Sequence, residues 1–274
     1  MKCIIVGTGF GSVHATWLHA LADVKIDTLI YRSNKSKAST IRSEYDIPNI
    51  STDLAQTLQT DQFDLLSIVS PPDSHADYLR LGVAAGIPVV IDKPLAQSLE
   101  DAEVVHALAE GHRQDVYVFF QWRLHSAVLR LKELVTSGVL GRLTHFAAAF
   151  DHDFLAKNET QWPWRHQYDS AGGGSLGDMG VHLFDLLRFI TSQEWVVTGA
   201  ATGLAHPKRM AKQGSIQCVA DDFAHVKLKA DQGETTGNRP DQSRHHQDQR
   251  KGDGDGLAVP EQVSHGGAFT GAVG

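Results

Sequence analysis

Two cysteines, Cys3 and Cys218, are all that 274 residues contain. That excludes a disulfide framework and offers no zinc spacing, and it suits a reducing compartment. No apolar run approaches the roughly 18–20 residues that span a bilayer, so no membrane partner is expected. Positive charge is scarce too. The formal net charge is −7 with no basic stripe, which argues against nucleic acid as a partner. The opening "MKCIIVG" is too short an apolar run for a signal peptide and leads straight into a glycine loop. A cytoplasmic location is the expectation. What is present is an ordinary globular balance, 42% hydrophobic and 21% charged, in a chain long enough for two cores.

Organisation follows from periodicity. "KCIIVG", "KIDTLIY", "DLLSIVS", "IPVVI" and "DVYVFF" are short apolar runs that read as buried strands. Helical segments alternate with them, including "SVHATWLHALA", "DSHADYLRLGVAAG" and "SLEDAEVVHALAEG", the last with Ser98 as N-cap. Such alternation predicts a doubly wound parallel sheet over residues 1–121, covered on both faces. The rhythm then changes. "HSAVLRLKELVTSG" reads as a helix, and "RLTHFAAAF", "WVVTGAATGLA" and "DFAHVKLKA" read as strands. The expectation for 122–230 is an α+β domain with a largely antiparallel open sheet, probing substrate rather than cofactor. Residues 231–274 hold few large apolar side chains (Leu257, Val259, Val263, Phe269, Val273), so a disordered polar tail is expected there.

Four stretches carry chemistry. "GTGFGS" (7–12) lies between a strand and a helix. Gly7 permits a tight turn, Gly9 lets backbone approach a pyrophosphate at the helix N-terminus, and Ser12 is small enough for close packing. With Phe10 and Gly11 these form the expected dinucleotide loop; a bare glycine turn is the bland alternative. "YRSNKSK" ends the second strand without a carboxylate and offers Arg32, Ser33, Lys35 and Lys37. Basic and hydroxyl groups there suit a 2′-phosphate, hence NADP over NAD, although a solvated turn reads the same way. "SPPDSH" (70–75) follows a strand, where doubly wound sheets bind ligands. Ser70 and Pro71 would edge the cofactor pocket and His75 would line it, unless His75 merely starts a helix. "DKP" (92–94) sets Lys93 at the edge of the same crevice, or leaves it a surface lysine at a strand end.

Together with "FFQWRLHSAVLRLKELVTSGVLGRL" and "WRHQYDSAGGGSLGDMGVHLFDLLRF", these motifs resemble the glucose-fructose oxidoreductase and inositol dehydrogenase family (Gfo/Idh/MocA) over about residues 1–230. The resemblance implies a Rossmann domain followed by an α/β domain on a large open sheet, and oxidation or reduction of sugars, inositols and related polyols with NAD(P). It maps the family's lysine onto Lys93 and its aspartate–histidine pair onto Asp178 and His182, as catalytic residues. Arg123, Trp164 and Arg165 match family positions that we assign with Gln121 to the cofactor side. Gln121 replaces a frequent asparagine, Ser126 a frequent proline, and Asp92 the usual glutamate, shortening the side chain beside Lys93. The abrupt polar switch near residue 231 departs further and reads as an aberrant or truncated C-terminus. A homo-oligomer through the second sheet is expected if that sheet is complete.

In "DMGVHLFDLLRF", Asp178, His182 and Asp185 recur at i, i+4 and i+7 on one side of an otherwise apolar helix. A buried stripe of this kind is a satisfied core feature, a metal site or a cleft wall. No further ligand cluster accompanies it, so no metal is expected. As a cleft wall, His182 takes the hydroxyl proton with an ordinary pKa near ~6.5. Asp178 orients a hydroxyl or the imidazole, Lys93 stabilises the reacting oxygen, and Asp185 is structural, on Arg188 or a backbone group. Two other functions fit the same residues: an NAD-dependent glycoside hydrolase with no net redox, and a non-catalytic dinucleotide-binding regulator.

Overall fold

The computed structural model describes residues 1–111, 115–153, 156–157, 173–211 and 214–231. Its first half is a six-stranded sheet in the order β3-β2-β1-β4-β5-β6, every pairing parallel. The strands are β1 (Lys2–Val6), β2 (Lys25–Ile30), β3 (Asn49–Ser51), β4 (Leu65–Ile68), β5 (Val89–Asp92) and β6 (Val116–Phe119). Helices α1 (Gly11–His19), α2 (Lys35–Glu44), α3 (Leu54–Thr60), α4 (His75–Ala84) and α5 (Leu99–Gly111) link them. This is the doubly wound order whose strand sequence reverses beside β1.

The alternation of β1 shows why both faces are apolar. Ile4 and Val6 enter one core with Ile30, Leu66, Ile68 and Ile91, while Cys3 and Ile5 enter the other with Ala15, Leu29 and Ile41. A period of two sends successive side chains to opposite faces, so a strand covered twice must be apolar throughout. Gly82 seats α4 tightly, since a Cβ there would meet Val89 at 2.8 Å and Leu66 at 2.9 Å. The strand β3 escapes a periodicity reading because three residues are too few to show one.

After β6 the chain makes a 3₁₀ turn at Gln121–Leu124 and enters α6 (Ser126–Thr136). A π-helical turn, Leu176–Gly180, runs directly into α7 (Val181–Thr191). Helices α6 and α7 pack through Val128, Leu186 and Ile190, with Trp122, Phe146 and Phe189 at the margin. Strands β7 (Trp195–Gly203) and β10 (Phe223–Ala230) pair antiparallel, and β8 (Lys208–Ala211) pairs antiparallel with β9 (Gly214–Gln217). The expected antiparallel character of the second half is therefore present.

One expected strand is not. "RLTHFAAAF" pairs with no strand among the described residues, and Ala147, Ala148 and Ala149 are exposed. A gap of about 1120 Å³ separates residues 143–152 from β7, β10 and the outer side of α7. Among the described residues no strand lies along its edge, so the composition of a strand meets no ladder there. The expected disordered tail lies outside the described residues, except Asp231, whose N–H donates to the Glu194 carbonyl at 2.8 Å.

Candidate active site

The glycine loop has a distinctive geometry at two positions. Gly7 sits at φ +113°, and a Cβ there would lie 2.6 Å from the Val69 carbonyl oxygen, so β1 can turn beside β4 only without a side chain. Gly9 faces open space, with nothing within 4 Å of where a Cβ would stand. Helix α1 starts here with no acidic residue in its first turn, which leaves its positive end free for an anion. Phe10 occupies the N-cap and packs edge-on against His14 and Trp17. Gly11 touches Ile5, and Ser12 donates to the Gly9 carbonyl.

Beside this loop, Arg32 and Ser33 follow β2, and Lys35 and Lys37 fall in the first turn of α2. Asn34 caps that helix by accepting from the Lys37 N–H at 2.9 Å. Arg32 is not free: its Nη1 lies 3.2 Å from the Asp73 carboxylate, in the loop after β4. In that same loop Ser70 Oγ accepts from Ser74, as does the Pro71 carbonyl.

His75 starts α4, the alternative the sequence offered, and is buried there. It is 1% exposed, and its two ring nitrogens lie 3.1 Å from the Leu95 carbonyl and 2.9 Å from the Ser70 carbonyl. Burial pushes its pKa down and these carbonyls oppose that. The neutral ring donates to one of these carbonyls while the other lies against its second nitrogen, so His75 sits between the loop after β4 and the loop after β5.

The loop after β5 carries Lys93, and here the two halves of the chain meet. Its ammonium donates to the Asp178 carboxylate and to the Asp178 backbone carbonyl, each at 2.7 Å. Both side chains are largely buried, at 12% and 14% exposure. One turn on, His182 is 2% exposed and stacks on Trp122 at 4.3 Å between ring centroids, with Phe120 edge-on. Burial pushes the His182 imidazole down to about 3, the Lys93 ammonium adds to this, and Asp178 opposes it. The ordinary value expected from sequence is thereby corrected. Two aromatic rings and a cation surround the imidazole, and both disfavour its charged form.

Three buried polar atoms in this region lack a hydrogen-bond partner among the described residues: His182 Nδ1, Gln121 Oε1 and Gln97 Oε1. Orphaned acceptors of this kind are rare in a settled core and are common where a ligand completes the site. With the open face of Gly9 and the uncompensated helix end, they fit a dinucleotide whose polar end group would reach the Lys93 side of the crevice.

Asp185 is structural, but its partner is not Arg188. Arg123 grips it through Nε at 2.8 Å and through Nη2, while Arg188 pairs with Glu194 near the surface. The Arg123 guanidinium also lies over the Phe120 and Phe189 rings. Two of its nitrogens hold Asp185, so it braces the turn that carries Trp122. Trp164 and Arg165, assigned to the cofactor side from sequence, lie outside the described residues. No group of three or more potential metal ligands occurs among the described residues.

Two contributors were invisible in sequence. Trp122 was not separable from any other aromatic. Asp221 caps the catalytic helix from 46 residues away, just ahead of β10. Its carboxylate accepts from the N–H groups of Gly174 (3.2 Å) and Leu176 (2.8 Å) and from Ser175 Oγ (2.7 Å). Its carbonyl accepts from the Ser175 N–H at 2.8 Å. Gly174 has no room for a side chain against that carbonyl, which explains part of the "GGG" run.

Comparison with known proteins agrees with this geometry. Residues 1–120 match a family described as oxidoreductases with an NAD-binding Rossmann fold, and 128–250 match the GFO/IDH/MocA C-terminal domain. Levoglucosan dehydrogenase of Pseudarthrobacter phenanthrenivorans is 23% identical over 78% of this chain and 57% of its own length. D-apiose dehydrogenase of Rhizobium rhizogenes is 25% identical over 76% of this chain and 59% of its own length. Among solved structures, an oxidoreductase domain protein from Kribbella flavida superposes with a TM-score of 0.77 at 24% identity, covering 83% of this chain and 64% of that one. Levoglucosan dehydrogenase in complex with NADH and L-sorbose gives 0.77 at 20% identity, covering 85% and 64%. The chain thus spans less than two thirds of the length of these relatives. On its Rossmann half, its C-terminal half and the order of both, the chain belongs to the Gfo/Idh/MocA family of oxidoreductases.

Proposed function

We propose that this protein is a dehydrogenase or reductase that moves a hydride between a nicotinamide cofactor and a CH–OH or C=O carbon of a sugar, inositol or related polyol, in the cytoplasm. The observation that carries this reading is the Lys93–Asp178 contact, with the His182 imidazole one turn away. A Rossmann crevice and a proton-handling helix are brought onto one point. The named relatives that act on levoglucosan and apiose support the substrate class.

NADP or NAD, which the loop Gly7–Ser12 and Gln121 would hold, would accept the hydride when bound. The protein's own residues handle the oxygen and its proton. Lys93 donates to the reacting oxygen and stabilises its negative character as the proton leaves. His182 is neutral at pH 7, so a ring nitrogen has an electron pair to take the hydroxyl proton, and its low pKa makes it a weaker base than a free imidazole. Protonated, it is a strong acid in this setting and returns the proton readily when a ketone is reduced. Asp178 fixes the ammonium that it meets. Phe120 and Trp122 keep water from the imidazole.

The cofactor is NADP in preference to NAD, on the basic turn Arg32, Ser33 and Lys37. The test is a panel of sugars and inositols assayed in both directions with NAD(H) and NADP(H). Turnover on a polyol, higher with NADP(H), is expected. Cofactor uptake without turnover on any member would overturn the catalytic reading. Equal loss of NADPH and NADH binding in Arg32→Ala would overturn the choice of cofactor.

A further inference from the structure

Strands β2 and β4 flank β1 in the sheet, so their C-terminal ends stand on either side of the glycine loop. A side chain from each side meets across that loop. Arg32 comes from the β2 side and is 62% exposed; Asp73 comes from the 3₁₀ turn after β4 and is 30% exposed, with 3.2 Å between Nη1 and Oδ2. Neither residue serves the fold in an evident way. The pair lies at the surface, where such contacts contribute little to stability. It stands, though, where the end of the second strand meets the adenosine ribose in folds of this order.

We propose that Asp73 sets cofactor choice, by holding the guanidinium that a 2′-phosphate would need and by placing a negative charge beside that phosphate. The inference rests on the reading that the turn after β2 receives the adenosine end of the cofactor. A 2′-phosphate carries up to two negative charges and binds best where arginine donors are free. Here one Arg32 donor faces a carboxylate that a phosphate must displace or approach. A ribose bearing two hydroxyls meets neither obstacle. The Arg32, Lys35 and Lys37 cluster and Asp73 therefore act in opposition, and the selectivity of the protein is their balance. Release of the guanidinium and removal of the repulsion between a carboxylate and a doubly charged phosphate, in near-aqueous surroundings, together correspond to about a tenfold change in affinity.

The experiment measures binding, independently of any substrate. Dissociation constants of NADPH and NADH are obtained by tryptophan-to-nicotinamide energy transfer for the full chain and for Asp73→Asn, Arg32→Ala and the double variant. Asp73→Asn is expected to tighten NADPH about tenfold and to change NADH less than twofold. In the Arg32→Ala background the same change should have a smaller effect, because the competition for the guanidinium is gone and only the direct repulsion of the phosphate remains. Equal shifts for both cofactors, no shift in NADPH, or a full effect without Arg32 would each overturn the proposal. The unmodified protein's own NADPH-to-NADH ratio tests the separate claim of NADP preference. An NADH preference there, relieved by Asp73→Asn, would sink that claim and uphold this one.

Discussion

His182 makes stability depend on pH in a way that can be isolated. In the folded chain its pKa is pushed down to about 3, mainly by burial. In the unfolded chain it returns to about 6.5. Between these values the unfolded state binds the proton and the folded state does not, so stability is complete above about pH 6.5 and falls as the pH drops toward 3. Going from pH 7 to pH 5 removes about 2 kcal/mol through this residue. His14, which burial pushes down to about 4, removes a similar amount, and His75 acts in the same direction. The whole chain therefore loses more than His182 alone explains. Comparison with His182→Asn extracts the single share, since each protein is measured against itself at the two pH values. Urea unfolding followed by far-ultraviolet circular dichroism gives the four free energies. The expected result is that His182→Asn loses about 2 kcal/mol less between pH 7 and pH 5 than the unmodified chain. An equal loss in both would show that the imidazole is not held neutral by its surroundings, and the account of the site would fail with it.

Lys93→Met should lower turnover on the substrate found in the polyol panel by about 10²-fold, with cofactor dissociation constants unchanged; a parallel loss of cofactor binding would move Lys93 from the reacting oxygen to the cofactor. Gly7→Ala meets both an unfavourable φ and the Val69 carbonyl, and should cost about 2–3 kcal/mol and abolish dinucleotide binding in a fluorescence titration. Asp221→Ala uncaps the π-turn and should cost about 2 kcal/mol in urea unfolding and reduce turnover at unchanged cofactor affinity. Asp221→Asn, which keeps one acceptor oxygen, should recover part of both.

The parts of this molecule legible in sequence are those whose cause is local. Cys3 to Val6 must be apolar because the strand is covered twice, and Gly7 must be glycine because of the carbonyl beside it. The run reports its own environment. Asp178, His182 and Asp185 likewise lie on one side because helical geometry puts them there, although the first sits in a π-turn. What could not be read depends on distant partners. Asp185 chooses Arg123 across 62 residues rather than Arg188 three residues away. The His182 pKa depends on Phe120, Trp122 and Lys93, none of them its neighbours in sequence. His75 looked like a pocket residue because its motif ends a strand; only the fold shows the two carbonyls that enclose it. "RLTHFAAAF" has a strand's composition, but composition cannot supply the neighbour that a ladder requires.

The unequal cores described above imply an order of events on heating. Twelve and nine buried residues cement the two faces of the parallel sheet. Among the described residues, the cluster that seats α7 has three, Val128, Leu186 and Ile190, and the cluster beside β9 has two. Cooperative units open in the order of their burial, so the helix bearing Asp178 and His182 should come loose while the nucleotide-binding sheet is still intact. Lys93 would then lose its counter-charge without leaving its own domain. Warming should produce an interval in which NADH or NADPH still binds and no substrate turns over, and catalytic lifetime should report the weaker half of the chain. Coincident loss of binding and turnover across a temperature series would mean that the two halves unfold as one.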